Sequence, residues 1–322
     1  MLTTEEKAYA KINIGLDVLG RRENGYHELK MVMQTIGLCD DVLLAWTDRE
    51  ETVGGTSPEE KTEIRILCDT PGVPLDRRNL AYRAAEALFR YCENRNNAVP
   101  SGKGSFSGRL DIRLVKRIPA AAGLAGGSSD AAAVLRGVNR LLELGLKEED
   151  LQCIALPLGA DIPYCVSGGT ALAEGIGEVL TPLPALPDCG IVLVKPPFDC
   201  STAEIYGDLH VDRLEPAAHP DMDQVIGAIR RGSLQDAARH MGNILEIPAV
   251  RMHPEIREIK QLLLEAGATG ASMSGSGSAV FGVFEEPGEA EKAGRMLRER
   301  GTAGQIFLTA PAARKEKRGV AT

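Results

Sequence analysis

The sequence predicts an α+β fold in two domains. A length of 322 residues accommodates one large or two medium domains. Strand-like and helix-like segments are intermixed without the regular strand–helix beat of a doubly wound sheet. Composition turns proline-rich over 182–187, which marks a boundary between the halves, here 1–180 and 181–322. A hydrophobic content of 43% supplies material for real cores, and 25% charged residues describe a globular, water-facing chain.

Taken in order, residues 7–18 and 29–46 alternate as strands, and a charged loop over 47–63 separates them from a strand at 64–68. Residues 79–92 are helical, with Asn79 as cap and Leu80, Ala84, Ala87 and Leu88 on one face. Leu110, Ile112 and Leu114 mark a strand, and Ala131, Val134, Leu135, Val138, Leu141 and Leu142 the apolar stripe of the next helix. A helix at 148–158 precedes the run Gly159-Ala160-Asp161-Ile162-Pro163. Beyond the proline-rich boundary come a strand at 191–195, helices at about 223–230, 234–245 and 254–266, strands at 269–273 and 279–284, a helix at 288–300 and a last strand at 305–308. No internal repeat is present.

The charge balance and the cysteines exclude several functions. A net charge of −8 argues against nucleic acid as partner, and the basic residues Arg314, Lys315, Lys317 and Arg318, interleaved with Glu316, read as a frayed end. No apolar run approaches the roughly 20 residues of a membrane helix, and the first residues lack the apolar core of a signal peptide, so a cytoplasmic protein is expected. Seven cysteines form no C-x-x-C pair, and no histidine cluster has metal spacing. They read as reduced, mostly buried residues with no zinc site.

The segment 119–132, PAAAGLAGGSSDAA, carries the chemistry. A small-residue loop containing Gly123, Gly126 and Gly127 runs from a strand into a helix, with Ser128 and Ser129 at the junction. Such loops let backbone N–H groups approach an anion, and the helix adds unpaired N–H groups and the positive end of its dipole. The alternative is a tight turn capped by serine. It is no Walker loop, since no lysine stands between Gly127 and Ser128. The run at 101–105, SGKGS, lacks the first glycine and the hydroxyl directly after its lysine, and it sits in a polar loop over 92–108.

Four further constellations bear on function. Lys11 and Asn13 share one face of a strand, and residue chemistry alone favours the solvent face for Lys11. Gly25-Tyr26-His27 follows a turn; an aromatic beside a histidine can stack on a base and hydrogen-bond it, or brace a loop. Asp161 stands either as a turn cap or as a general base at the end of an element. Ser274, Gly275, Ser276, Gly277 and Ser278 form a second small-residue loop between two apolar strands, for which a hairpin turn is the simplest reading.

In this order, Lys11-x-Asn13, the 119–133 loop, Gly-Ala-Asp161 and Ser-Gly-Ser-Gly-Ser, the chain resembles the GHMP kinase superfamily from about residue 7 to about 310. The segment from Ala10 to Leu16 with Arg21-Arg22-x-Asn24-Gly25-Tyr26-His27-Glu28-Leu29, and Leu158-Gly159-Ala160-Asp161-Ile162-Pro163-Tyr164, is similar to the branch that acts on a cytidine-diphosphate methylerythritol in non-mevalonate isoprenoid biosynthesis. The resemblance implies an N-terminal domain like the second domain of ribosomal protein S5, a ferredoxin-like C-terminal domain, and a cleft in which ATP and acceptor meet. It implies transfer of the ATP γ-phosphoryl group to a hydroxyl, with Mg2+ as cofactor and a small-molecule cytidine-diphosphate substrate; the metal ligands and the oligomeric state are not specified. By the same resemblance Pro119, Ala121, Ala122, Gly123, Leu124, Ala125, Gly126, Gly127, Ser128 and Ser129 bind ATP, Asp161 accepts the hydroxyl proton, and Lys11 lies beside it. Asn13 anchors that region. Tyr26, His27 and Tyr206 take the cytosine, Thr202 lies near them, and Ser274, Gly275, Ser276 and Gly277 brace the phosphate loop or the substrate diphosphate. Ala121, Ala122 and Ala125 stand where many members carry glycine, and Asp130 replaces a frequent asparagine.

Overall fold

The computed structural model describes residues 1–23, 25–48, 62–94 and 106–312. Asn24, residues 49–61 of the charged loop, the 101–105 run and the basic tail lie outside the described residues. The chain forms two compact units, one of Met1–Tyr9, Cys39–Ile118 and Gly126–Ser167, the other of Ala10–Leu38, Pro119–Ala125 and Gly168–Thr322. The long strands β1 (Leu2–Arg21) and β2 (His27–Asp48) each contribute to both.

In the first unit, β3 (Thr62–Cys68), α1 (Leu80–Asn94) and β4 (Gly108–Val115) make a strand–helix–strand segment whose strands are parallel. The C-terminal half of β2 pairs antiparallel with β4, from Asp41 opposite Val115 to Asp48 opposite Gly108. Alternation dictates the faces: Leu110, Ile112 and Leu114 of β4 are buried while Arg113 and Val115 face outward. Asn79 caps α1 as expected, its Oδ1 accepting from Ala81 N at 2.9 Å. Helix α2 (Gly126–Leu141) packs on α1 and on α4 (Ile162–Ser167), and α3 (Glu148–Ala155) packs on α4. The alanines at 81, 84, 85 and 131–133 are all buried, and small side chains of this kind let two helices approach closely.

In the second unit, β5 (Thr170–Gly175) pairs antiparallel with the N-terminal half of β2, and β6 (Val179–Pro182) pairs with β5. The segment 182–187 leads to β7 (Gly190–Lys195), followed by α5 (Thr202–Asp208), α6 (Met222–Arg230), α7 (Leu234–Arg239), β8 (Gly242–Asn243), α8 (Glu246–Met252) and α9 (Glu255–Glu265). Strands β9 (Gly270–Met273) and β10 (Val280–Phe284), helix α10 (Pro287–Glu299) and β11 (Gln305–Thr309) follow. The sheet order is β11-β7-β10-β9, all antiparallel. With α9 on β9 and β10, and α10 on β7 and β11, this is the split βαβ arrangement called ferredoxin-like. Every residue of β7 and β10 is buried, which explains their unbroken apolar runs. The mixed helix-and-sheet fold is as the sequence predicted.

Some elements differ from expectation. The segment 234–245 is not one helix: α7 ends at Arg239, and Gly242 and Asn243 pair in parallel with Gly15 and Leu16 of β1. The apolar period continues past this break, so periodicity alone runs the helix on. Helix α3 stops at Ala155, and Pro157 turns 156–158 into a 3-10 turn. Helix α4 and strands β5, β6 and β8 are short and were not predicted. None of the seven cysteines is in a disulfide, and of them Cys92, Cys189 and Cys200 are buried. Burial pushes the thiols of Cys189 and Cys200 up to about 12 and about 11, so they are inert packing residues.

Candidate active site

The second unit gathers several of the expected residues. The loop Pro119–Ala125 is bound on one side by β1, where Lys11 N donates to Leu124 O at 3.1 Å. On the other side it meets the loop that joins β9 to β10. Ser274 Oγ donates to Gly123 O at 3.0 Å, and Ala279 N to Ala122 O at 3.2 Å. Gly123 must be glycine there: its φ is 73°, and a Cβ would stand 1.9 Å from Ser274 O. The 274–278 loop does close a hairpin, with Met273 opposite Val280, and it also serves as a backing for the small-residue loop.

Two of the alanines adopt the conformation glycine would take. Ala121 has φ 47° and Ala125 φ 58°, while Ala122 is regular. A left-handed alanine costs roughly 1–2 kcal/mol, so the loop is strained and held in shape by its neighbours.

Lys11 is not on a solvent face: it is 4% exposed, and its Nζ donates to Asn13 Oδ1 at 2.7 Å. Its Nζ would be 3.2 Å from a Cβ on Gly275, so the ammonium group, the Gly123 carbonyl and the turn at Gly275 lie together. A charge inside an apolar strand violates the packing rule, and a site explains the violation better than solvent exposure.

Farther along this unit, the rings of His27 and Tyr206 lie 4.9 Å apart, tilted by 37°. Burial, with the charge of Arg21, lowers the His27 pKa, which keeps the imidazole neutral at pH 7 with one donor and one acceptor nitrogen. Tyr26, which follows the Gly25 turn, is 59% exposed. Arg22 N donates to Tyr26 O at 2.7 Å, and Arg22 pairs with Glu28 to hold the turn. Thr202 Oγ1 and Ser276 Oγ are 2.8 Å apart, which joins α5 to the 274–278 loop.

The first unit holds the rest. Gly126 and Gly127 open α2, so the glycines that follow the strained loop present free N–H groups at a helix start. Ser129 is buried, and its hydroxyl donates to Tyr9 O at 2.6 Å, fastening the helix start to β1. Ser128, one residue earlier, is half-buried. Asp161 stands directly before α4, with Cys165 N donating to its carbonyl at 3.1 Å. Arg136 of α2 donates to Cys165 O at 2.7 Å, which locks α4 against α2.

One charged cluster was not foreseen. Lys116 lies between the buried carboxylates of Asp40 and Asp130 and bonds both. Asp40 Oδ1 also accepts from Ile118 N at 2.8 Å, just before the loop begins. Asp130 Oδ1 is buried without a hydrogen-bond partner among the described residues. Desolvation pushes the Asp130 carboxyl up to about 7, helped by the Asp40 charge and opposed by Lys116. Asp130 is therefore only partly ionised near neutral pH.

Comparison with known proteins gives the family. The profile of the GHMP kinases N terminal domain matches residues 79–169, and that of GHMP kinases C terminal matches 225–303. A 4-diphosphocytidyl-2-C-methyl-D-erythritol kinase of Lachnospira eligens is 43% identical over 303 residues, covering 94% of this chain and 96% of the relative. The protein of that name from Geobacillus kaustophilus is 44% identical over 303 residues, covering 94% of each chain. A crystal structure of 4-(cytidine 5'-diphospho)-2C-methyl-D-erythritol kinase superposes with a TM-score of 0.74 at 33% identity, over 96% of this chain and 100% of that one. A homoserine kinase from Cytophaga hutchinsonii shares the fold at a TM-score of 0.75 and 18% identity, over 98% and 96% of the two chains. The chain is thus a kinase that belongs to the GHMP family, in the group of the 4-diphosphocytidyl-2-C-methyl-D-erythritol kinases.

Proposed function

We propose that this kinase transfers the γ-phosphoryl group of ATP to a hydroxyl on the methylerythritol part of 4-diphosphocytidyl-2-C-methyl-D-erythritol, in non-mevalonate isoprenoid precursor biosynthesis. The observation that carries the reading is the near full-length identity to relatives of that name. Phosphoryl transfer asks a protein mainly for positioning and charge stabilisation, and the residues fit that demand. The loop of Pro119, Ala121, Ala122, Gly123, Leu124 and Ala125, continued by Gly126, Gly127, Ser128 and Ser129, offers N–H groups and a helix start to the ATP phosphates. Asp161 accepts the proton of the attacking hydroxyl, a role typically worth about 10²- to 10⁴-fold. Lys11 supplies positive charge for the ionised hydroxyl, with its ammonium oriented by Asn13. Tyr26 and Tyr206 take the cytosine by stacking, and neutral His27 reads its edge with one donor and one acceptor. Thr202, Ser274, Gly275, Ser276 and Gly277 shape the diphosphate side.

Mg2+ supplies neutralisation of the phosphate oxygens in such transfers. In kinases it is held by a carboxylate or two together with the phosphates themselves. Among the described residues, no group of three or more His, Cys, Asp and Glu could hold a metal alone. No helix of the described residues is long and apolar enough to cross a membrane; a cytoplasmic location is part of the proposal.

The test is ADP release by the purified protein with Mg-ATP, with the cytidine substrate and with homoserine or mevalonate as control acceptors. Release that depends on the cytidine substrate is expected. Turnover only with a control acceptor overturns the substrate assignment, and none with any acceptor overturns the kinase role.

A further inference from the structure

Asn243 has no role in the phosphate loop, the cytosine pocket or the base, yet its side chain is fully engaged with the backbone of the 274–278 loop. It is 6% exposed, on the two-residue strand β8. Both protons of its amide are committed, one to Met273 O at 2.8 Å and the other to Gly275 O at 2.7 Å. Its Oδ1 accepts from Leu245 N at 3.0 Å, at the turn into α8. Three residues on, Glu246 accepts from Met273 N and from Ser272 Oγ, both at 2.9 Å. Asn243 and Glu246 therefore grip Met273 by both its N–H and its carbonyl. A short side-chain amide with two carbonyls before it fixes the spacing and the angle of those carbonyls.

What lies on the other side of the gripped turn gives the contact its meaning. Ser274, between the two gripped carbonyls, bonds Gly123 and leaves no room for a Cβ there. Gly275 is the residue that faces Lys11 Nζ. A shift in this turn reaches the strained loop through the Ser274 Oγ–Gly123 O bond and alters the surroundings of the nearby ammonium group.

We propose that Asn243 is a positioning residue for the kinase reaction: by holding the Met273 and Gly275 carbonyls it sets the 274–275 turn against Gly123 and Lys11. The proposal rests on the reading that the 119–129 loop holds the ATP phosphates. Asn243→Asp keeps the size and removes both donors, turning a carboxylate toward two carbonyl oxygens. Buried acceptors left without donors are costly. Asn243→Ser keeps one hydroxyl donor and serves as a milder variant if the first does not fold.

The experiment is steady-state kinetics of wild type, Asn243→Ser and Asn243→Asp, with ATP affinity by calorimetry and Tm measured alongside. The expected result is a fall in kcat/KM for ATP of about 10- to 100-fold for Asn243→Asp, a smaller fall for Asn243→Ser, and a KM for the cytidine substrate within about twofold of wild type. On a Ser274→Ala background the same substitution should cost less, since the two groups act on one turn. A folded Asn243 variant with lowered Tm but wild-type kcat and ATP affinity shows a structural residue only and overturns the proposal. Failure of the wild type itself to bind ATP overturns the phosphate-loop reading instead.

Discussion

Gly123→Ala is the substitution that asks most of the proposed phosphate loop. The added Cβ would stand 1.9 Å from Ser274 O, 2.9 Å from Ser274 C and 3.1 Å from Gly277 O. Carbon and oxygen rest at about 3.3 Å or more, so the two loops must part by more than an ångström. Overpacking of this kind costs about 1–3 kcal/mol. The φ of 73° adds a left-handed penalty of roughly 1–2 kcal/mol for any side chain. The sum, about 2–5 kcal/mol, is a large part of an ordinary stability of about 5–15 kcal/mol. Relief by parting the loops would break Ser274 Oγ to Gly123 O and Ala279 N to Ala122 O. Gly123→Ala should therefore lower Tm by on the order of 5 °C or more and raise the KM for ATP at least tenfold. Ala121→Gly and Ala125→Gly are the controls. Each relieves about 1 kcal/mol of left-handed strain against a comparable gain of freedom in the unfolded chain, so Tm and KM should move little. The measurements are thermal melts and ATP saturation curves for the three variants. Gly123→Ala with wild-type Tm and ATP KM would refute the contact with Ser274 and with it the account of the loop as a backed, strained cradle.

Asp161→Asn should leave ATP binding by calorimetry near normal and remove most turnover; full turnover would exclude Asp161 as the base. Tyr26→Ala should raise the KM for the cytidine substrate well above any change in the KM for ATP, and an unchanged value would sink the stacking role. Asp130 predicts a pH effect on stability. Its carboxyl is pushed up to about 7 in the folded chain, against about 3.9 when unfolded, so the folded state binds the extra proton between those values and stability falls as pH rises from about 4 to about 7. Asp130→Asn removes that slope, and its Tm relative to wild type should be higher at pH 8 than at pH 5; a gap independent of pH would contradict the assignment.

The long or strongly patterned parts of the fold were legible in the sequence, and the short ones were not. Helix α1 announces itself by the Asn79 cap and an apolar face, and β7 and β10 by unbroken runs of apolar residues between turns. Strand β8 has two residues, too few to show a period, and its pairing with Gly15 and Leu16 is long-range. Helix α4 carries a proline and a cysteine in six residues, below the length at which a helical stripe can be read. Lys11 shows the limit on the site side. Residue type alone sends a lysine to solvent, and only its place among the other family residues argued for the interior. Asn243 and Lys116 had no sequence signal. Their meaning lies in the carbonyls and carboxylates they meet, which are 30 and 32 positions away for Asn243 and 76 and 14 for Lys116.

The proposed phosphate loop has no lysine of its own, and the same geometry gives a way for it to work without one. A Walker loop couples its anion-binding N–H groups to a cation inside the motif. In the proposed site the positive charge comes from Lys11, on a strand far away in sequence, and the loop must be aligned with it by other means. Lys11 N holds Leu124 O, and the Gly275 turn abuts both Lys11 and Gly123. The cation and the cradle are thus tied through backbone, at the cost of two left-handed alanines. In such a design the strand that carries the ammonium is tied to the loop. Charge at Lys11 and shape at Gly123 should fail together, so Lys11→Met combined with Gly123→Ala should lose less turnover than the product of the single losses. Losses that multiply in full would mean that cation and loop act independently, and would leave the strain at Ala121 and Ala125 without a catalytic reason.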